Sequence, residues 1–74
     1  MESRVIDALK YALENEEMDV KLVDEFREYA EWDSLVLLTL IAKLDEEFQV
    51  AIEMVEFKNI RTVEDLIKAV ESKI

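Results

Sequence analysis

Residues 32–48 read WDSLVLLTLIAKLDEEF. Leu37, Leu40, Ile41, Leu44 and Phe48 return at helical spacing. They predict a helix from about Ser34 to about Phe48, with these five side chains as its core face. Asp33 fits the N-cap, where a short acceptor side chain and a negative charge both suit a helix start. The helix has more apolar surface than one face needs. Leu35, Val36, Leu37 and Leu38 are consecutive, and at about 100° per residue they circle the whole helix. Leu35, Leu38 and Ala42 point roughly opposite to the predicted core stripe. A domain this small cannot bury them all, so they are expected to form a contact surface. The other arrangement that the pattern permits is a fold of the preceding connection over them. Beyond this patch stand Asp45, Glu46 and Glu47. Acids late in a helix oppose its dipole, and by default such a run is a solvated face.

Working outward from that helix, Val5, Ile6, Leu9, Ala12 and Leu13 predict an earlier one from about Ser3 to about Glu14, with Ser3 as its N-cap. Residues 15–33 form a long connection, expected to be pinned to the core by Leu22, Phe26 and Trp32, with a helical turn or two in VDEFREYA (23–30). Downstream, a short helix is predicted from about Glu53 to about Lys58. A stronger one follows, opened by a capping-box pattern at Thr62 and Asp65 and carrying the stripe Val63, Leu66, Ile67, Val70 and Ile74. The expected fold is all-α: one domain over residues 1–74, a small four-helix bundle of three main helices and one short helix, with a long loop between the first two.

Composition narrows the function. The chain has 74 residues, 51% of them hydrophobic, which is enough for a core rather than a disordered chain. It contains no Cys, His, Gly or Pro. Tight hairpin turns are therefore disfavoured, thiolate and imidazole metal ligands are missing, and a Gly-rich phosphate loop or an EF-hand loop cannot be built. Net charge is −10, from 19 acids against 9 bases. That charge repels nucleic acid and favours partners with basic surfaces. The apolar runs are too short to span a membrane. Arg4, Asp7 and Lys10 interrupt any signal-peptide pattern. A cytoplasmic monomer is expected.

Ser34 is one of three serines, and the others, Ser3 and Ser72, lie near the ends. Taken alone, Asp33-Ser34 is explained as a helix cap. A Ser-His-Asp nucleophile is impossible without His, and the remaining Lys and acidic residues form no catalytic or metal-binding pattern.

Three strings then combine: Asp33-Ser34-Leu35, LIAKLDEEFQVAI (40–52) and IRTVEDLIKAV (60–70). Together, without an apparent gap from Trp32 to Val70, they resemble the acyl carrier protein family. The resemblance implies that Ser34 carries a 4′-phosphopantetheine arm, taken from coenzyme A and attached by a phosphodiester. It implies that the arm's thiol holds an acyl or aminoacyl group as a thioester, and that the chain is not itself an enzyme. Asp33 and Leu35 would then help a phosphopantetheinyl transferase recognise the site. Leu38, Thr39, Ala42, Asp45, Glu46 and Glu47 would face partners: acyl or aminoacyl ligases and synthase or transferase enzymes with basic docking surfaces. Many fatty-acid carriers of the family have acids at the positions of Val36 and Thr39, Pro at that of Glu53, and Gly in the loop before DSL. These departures, and Trp32, imply a specialised pathway. They also imply that Val36 and Thr39 are partner-facing positions where charge has been lost. The rival to a carrier is an unmodified acidic helical module for protein–protein interaction.

Overall fold

A computed structural model describes residues 2–74. It contains three α-helices, α1 (Glu2–Leu13), α2 (Ser34–Phe48) and α3 (Val63–Glu71), and two 3₁₀ turns, Phe26–Glu28 and Glu56–Asn59. No strand occurs among the described residues. Arg4, early in α1, donates to the backbone carbonyl of Glu47 late in α2 at 2.9 Å, so these two helices run antiparallel.

α1 buries Val5, Ala8, Leu9, Ala12 and Leu13 on one face. Ser3 is not its N-cap. Glu2 is already helical, placing a carboxylate in the first turn where the dipole favours it, and Ser3 lies exposed within that turn. The helix ends in a Schellman motif. The Glu14 amide donates to the Tyr11 carbonyl and the Asn15 amide to the Lys10 carbonyl, both at 3.1 Å. Glu14 holds the left-handed position of that motif, at φ 57°, where glycine is usual.

The segment between α1 and α2 is not an open loop. It is a strap folded onto the core. Phe26, in the first 3₁₀ turn, is fully buried and meets Trp32 edge to face at 5.2 Å. The Asp24 carboxylate accepts from the Tyr29 hydroxyl at 2.7 Å and from the Lys21 amide at 3.0 Å. The strap also closes the start of α3. The amides of Val63 and Glu64 donate to the carbonyls of Asp24 and Leu22, each at 3.0 Å. The Thr62–Asp65 capping box takes the next donors, so helix-start amides that would otherwise lack partners are satisfied.

The core line of α2 is Val36, Leu40 and Leu44, each four residues from the next. Leu37, Ile41 and Phe48, predicted to be core, are only partly buried and pack at its edges. Val36, predicted to face partners, is a core residue at 8% exposure. The phase of the helix explains both corrections. Val36, Leu40 and Leu44 enter the core cluster shared with α1 and α3, leaving 37, 41 and 48 packed at its edge, with the Arg4 guanidinium over the Phe48 ring at 4.6 Å.

The expected short α-helix over 53–58 is instead the 3₁₀ turn Glu56–Asn59. Phe57 is its only buried side chain, while Met54 and Val55 are exposed. One anchor does not offset the entropy of nucleating α-helical turns. Around it, Val50, Ile52 and Ile60 enter the core from non-helical backbone. α3 buries Val63, Leu66, Ile67 and Val70. Ile74 lies beyond its end and is exposed, so it is not part of the stripe.

Candidate functional site: Ser34 and the outer face of α2

Asp33 has extended backbone, and its Oδ1 accepts from the Val36 amide at 2.9 Å. It is the N-cap of α2. Ser34 is therefore the first helical residue and not the cap. It is exposed, and its hydroxyl makes no hydrogen bond to a described residue. The amides of Ser34 and Leu35 precede the first intrahelical bond of α2, and they give this end its partial positive charge. A phosphodiester on the Ser34 oxygen fits such a place, because it brings an anion to a helix N-terminus and displaces no existing contact. The other serines differ. Ser3 is the second residue of α1, exposed in its first turn between Glu2 and Arg4, and the Ser72 hydroxyl donates to the Ala69 carbonyl at 2.8 Å.

Along the outer face of α2, Leu35 is 70% exposed and Leu38 52% exposed. Ala42, Asp45, Glu46 and Glu47 are exposed too, and Thr39 is partly so. The spacing 35–38–42–45/46 is one helix stripe, turned away from the 36–40–44 line. The strap does not cover it.

The three acids are not equivalent. The Glu47 carboxylate meets Lys43 at 3.2 Å and Arg4 at 3.4 Å. The hydrogen bond from Lys43, then that from Arg4, holds its carboxyl below the usual range. Lys43 is raised in turn, chiefly by Glu47. It also reaches Glu46 at 3.7 Å and sits 4.4 Å from the centre of the Tyr11 ring. Asp45 makes no ion pair with a described residue. Glu47 is thus a strut between α1 and α2, and the acids offered outward are Asp45 and Glu46.

Tyr11 is the surface residue that sequence reasoning missed. It lies off the Val5–Leu9–Ala12 stripe of α1 and is 51% exposed. Its signal was available, as a large aromatic outside the core spacing of an amphipathic helix. Among the described residues no group of three or more His, Cys, Asp or Glu is arranged to hold a metal ion. Nor is any helix among the described residues long and apolar enough to cross a membrane.

Comparison with known proteins gives this arrangement its family. The model for the family described as "Phosphopantetheine attachment site" matches residues 3–70. The chain is 27% identical over 70 residues to an acyl carrier protein of Exiguobacterium sibiricum, covering 95% of this chain and 89% of that one. It is 34% identical over 53 residues to an acyl carrier protein of Kocuria rhizophila, covering 72% of this chain and 65% of that one. No solved structure matches. Spanning nearly its whole length, the family match shows that the chain belongs to the phosphopantetheine-attachment family of acyl carrier proteins, non-catalytic carriers with a covalently attached 4′-phosphopantetheine.

Proposed function

We propose that Ser34 carries the arm and that the outer face of α2 presents the loaded carrier to partner enzymes. The observation that carries this assignment is the contrast among the three serines. Ser34 is the first residue of α2, exposed behind the Asp33 cap, with its hydroxyl unbonded to described residues and the exposed Leu35 after it. Ser3, also exposed in a first turn, stands between Glu2 and Arg4 with no Asp-Ser-Leu around it, and Ser72 is tied to a backbone carbonyl. When bound, the arm supplies the thiol that holds an acyl or aminoacyl group as a thioester. The chain itself supplies a rigid mount, the unpaired first amides of α2 and a surface to grip.

Asp33 and Leu35 flank the serine and give a phosphopantetheinyl transferase a capped helix start with one exposed apolar side chain. Leu38, Thr39 and Ala42 offer an apolar stripe to later partners, and Asp45 and Glu46 steer their basic surfaces. Glu47 turns instead toward α1, where two cations already hold it. The carrier works as a cytoplasmic monomer in a specialised pathway. Thr39, where many fatty-acid carriers have an acid, supports the specialisation. Val36 supports it less directly, because its side chain is core and not a contact.

Incubation with a phosphopantetheinyl transferase and coenzyme A, followed by intact mass spectrometry, tests the assignment. The wild-type chain should gain one arm. Ser34→Ala should fold, because Asp33 still caps α2, and should gain none. A Ser34→Ala chain that still takes up the arm would move the attachment elsewhere.

A further inference from the structure

Beside Ser34, the space between α1 and α2 forms two adjoining hollows of about 680 Å³ and 300 Å³. Tyr11 and Thr39 line both. The larger reaches Asp33 and Leu35, the neighbours of Ser34, and the smaller continues past Leu38 and Ala42. Tyr11 is about half exposed, and its hydroxyl bonds to no described residue. Aromatics of this kind, with an apolar body and an unused polar tip, dominate the energetics of protein interfaces. The charge around the groove has one sign at its Ser34 end. Glu14, Glu16, Glu31 and Asp33 line the larger hollow, and no Lys or Arg does. In the smaller hollow the single base, Lys43, is already held by Glu46 and Glu47.

We infer that this α1–α2 groove is a docking site for the enzyme that modifies Ser34, which enters it with an apolar anchor on Tyr11 flanked by Lys or Arg side chains against the acidic rim. The inference rests on Ser34 being the attachment point. It goes beyond the α2 face because its determinants lie on α1 and on the strap. Proximity chooses the partner, since an enzyme reaching the Ser34 hydroxyl must cover Asp33 and Leu35, which form one end of the groove. Charge complementarity chooses the chemistry of the segment. An acidic or uncharged segment would bring no counter-charge to four carboxylates.

The experiment uses the full chain with a phosphopantetheinyl transferase and coenzyme A, reading the rate of arm attachment against carrier concentration. Tyr11→Ala should raise KM by about fivefold to thirtyfold, as expected for truncating an interface aromatic, and leave kcat near wild type. Tyr11→Phe should stay near wild type, because the hydroxyl has no partner to lose. The double change Glu16→Lys and Glu31→Lys should raise KM and flatten its dependence on salt. Both residues are exposed, so the double variant decides the matter even if Tyr11→Ala fails to fold. An unchanged KM in the folded Tyr11→Ala chain, or in the double variant, overturns the groove as a docking site. Continued arm attachment in those same chains leaves Ser34 standing, whereas failure of the wild-type chain to be modified removes the attachment point itself.

Discussion

The chain has no glycine, yet two of its helices end where glycine is the usual choice. Glu14 and Gln49 both sit at φ 57°. At Glu14 the conformation closes the Schellman motif of α1. At Gln49, with ψ 38°, it turns the amide onto the Asp45 carbonyl at 2.8 Å. A residue with a Cβ loses roughly 1–2 kcal/mol in this region. Glycine avoids that loss but gives back about 0.5–1 kcal/mol of backbone entropy. Glu14→Gly and Gln49→Gly should therefore each stabilise the fold by about 0.5–1 kcal/mol. The sites lie at opposite ends of an antiparallel pair, about 20 Å apart at 1.5 Å per residue, so the gains should add. For a domain of this size a total of about 1–2 kcal/mol raises Tm by roughly 5–15 °C. Thermal unfolding followed by circular dichroism at fixed pH and salt measures it. Alanine is the control, because it retains a Cβ. Glu14→Ala and Gln49→Ala should give no gain. A double glycine variant no more stable than wild type, or an alanine variant equal to it, would refute the account of strain at these positions.

The two faces of α2 should separate cleanly. Leu44→Ala should cost about 2–5 kcal/mol in urea unfolding, and Leu38→Ala, on the exposed stripe, about 0.5 kcal/mol or less; equal losses would mean that the outer stripe is core. Stability should fall on acidification below about pH 4, near the ordinary carboxylate pKa values. Asp24 is held low chiefly by the Tyr29 hydroxyl, and Asp65 chiefly by the Thr62 amide. Their folded pKa values lie below the unfolded ones, so their contribution is present above that range and is lost as pH falls through the folded values. Asp24→Asn with Asp65→Asn should flatten the acid limb of the urea midpoint against pH, and an equally steep limb would show that these bonds do not set it. Asp45→Lys with Glu46→Lys should leave the fold intact, slow association with a basic partner in stopped-flow and flatten its salt dependence. Glu47→Lys should instead lower Tm, since it removes the contacts to Arg4 and Lys43 and sets a third cation beside them.

What the sequence made legible was local. The Asp33 cap and the Thr62–Asp65 box are spelled within four residues, and both are present as bonds. The three long helices follow from apolar spacing over several turns. The phase of α2 was not legible. Leu35 to Leu38 give a wheel with apolar groups all round, and only the packing of the other elements decides that Val36 goes in while Phe48 stays at the edge under Arg4. Around the expected short fourth helix Phe57 and its neighbours are apolar, but one anchor holds only a 3₁₀ turn. The bonds from Val63 and Glu64 to Asp24 and Leu22 link backbone groups about forty residues apart, and backbone groups carry no residue-type signal. Tyr11 lies off the apolar spacing of α1, and periodicity marks only the residues that fit it.

The placing of Ser34 one residue inside the cap has a physical consequence. Serine is itself a good N-cap, and a capping serine uses its side-chain oxygen to hold the first turn. Esterifying that oxygen would compete with the cap, so loading and helix stability would be coupled. Here Asp33 performs the capping through its own carboxylate. The Ser34 oxygen is left without a structural task, and a phosphodiester placed on it meets the positive end of α2. An arm attached at Ser34, as proposed, would therefore leave the helix intact. The same division runs down α2, where Val36, Leu40 and Leu44 hold the fold while Leu35, Leu38 and Ala42 contribute little to it. A carrier must be recognised by successive enzymes in both its bare and its loaded states. A mount whose folding does not depend on the group it bears gives each of them the same surface to bind.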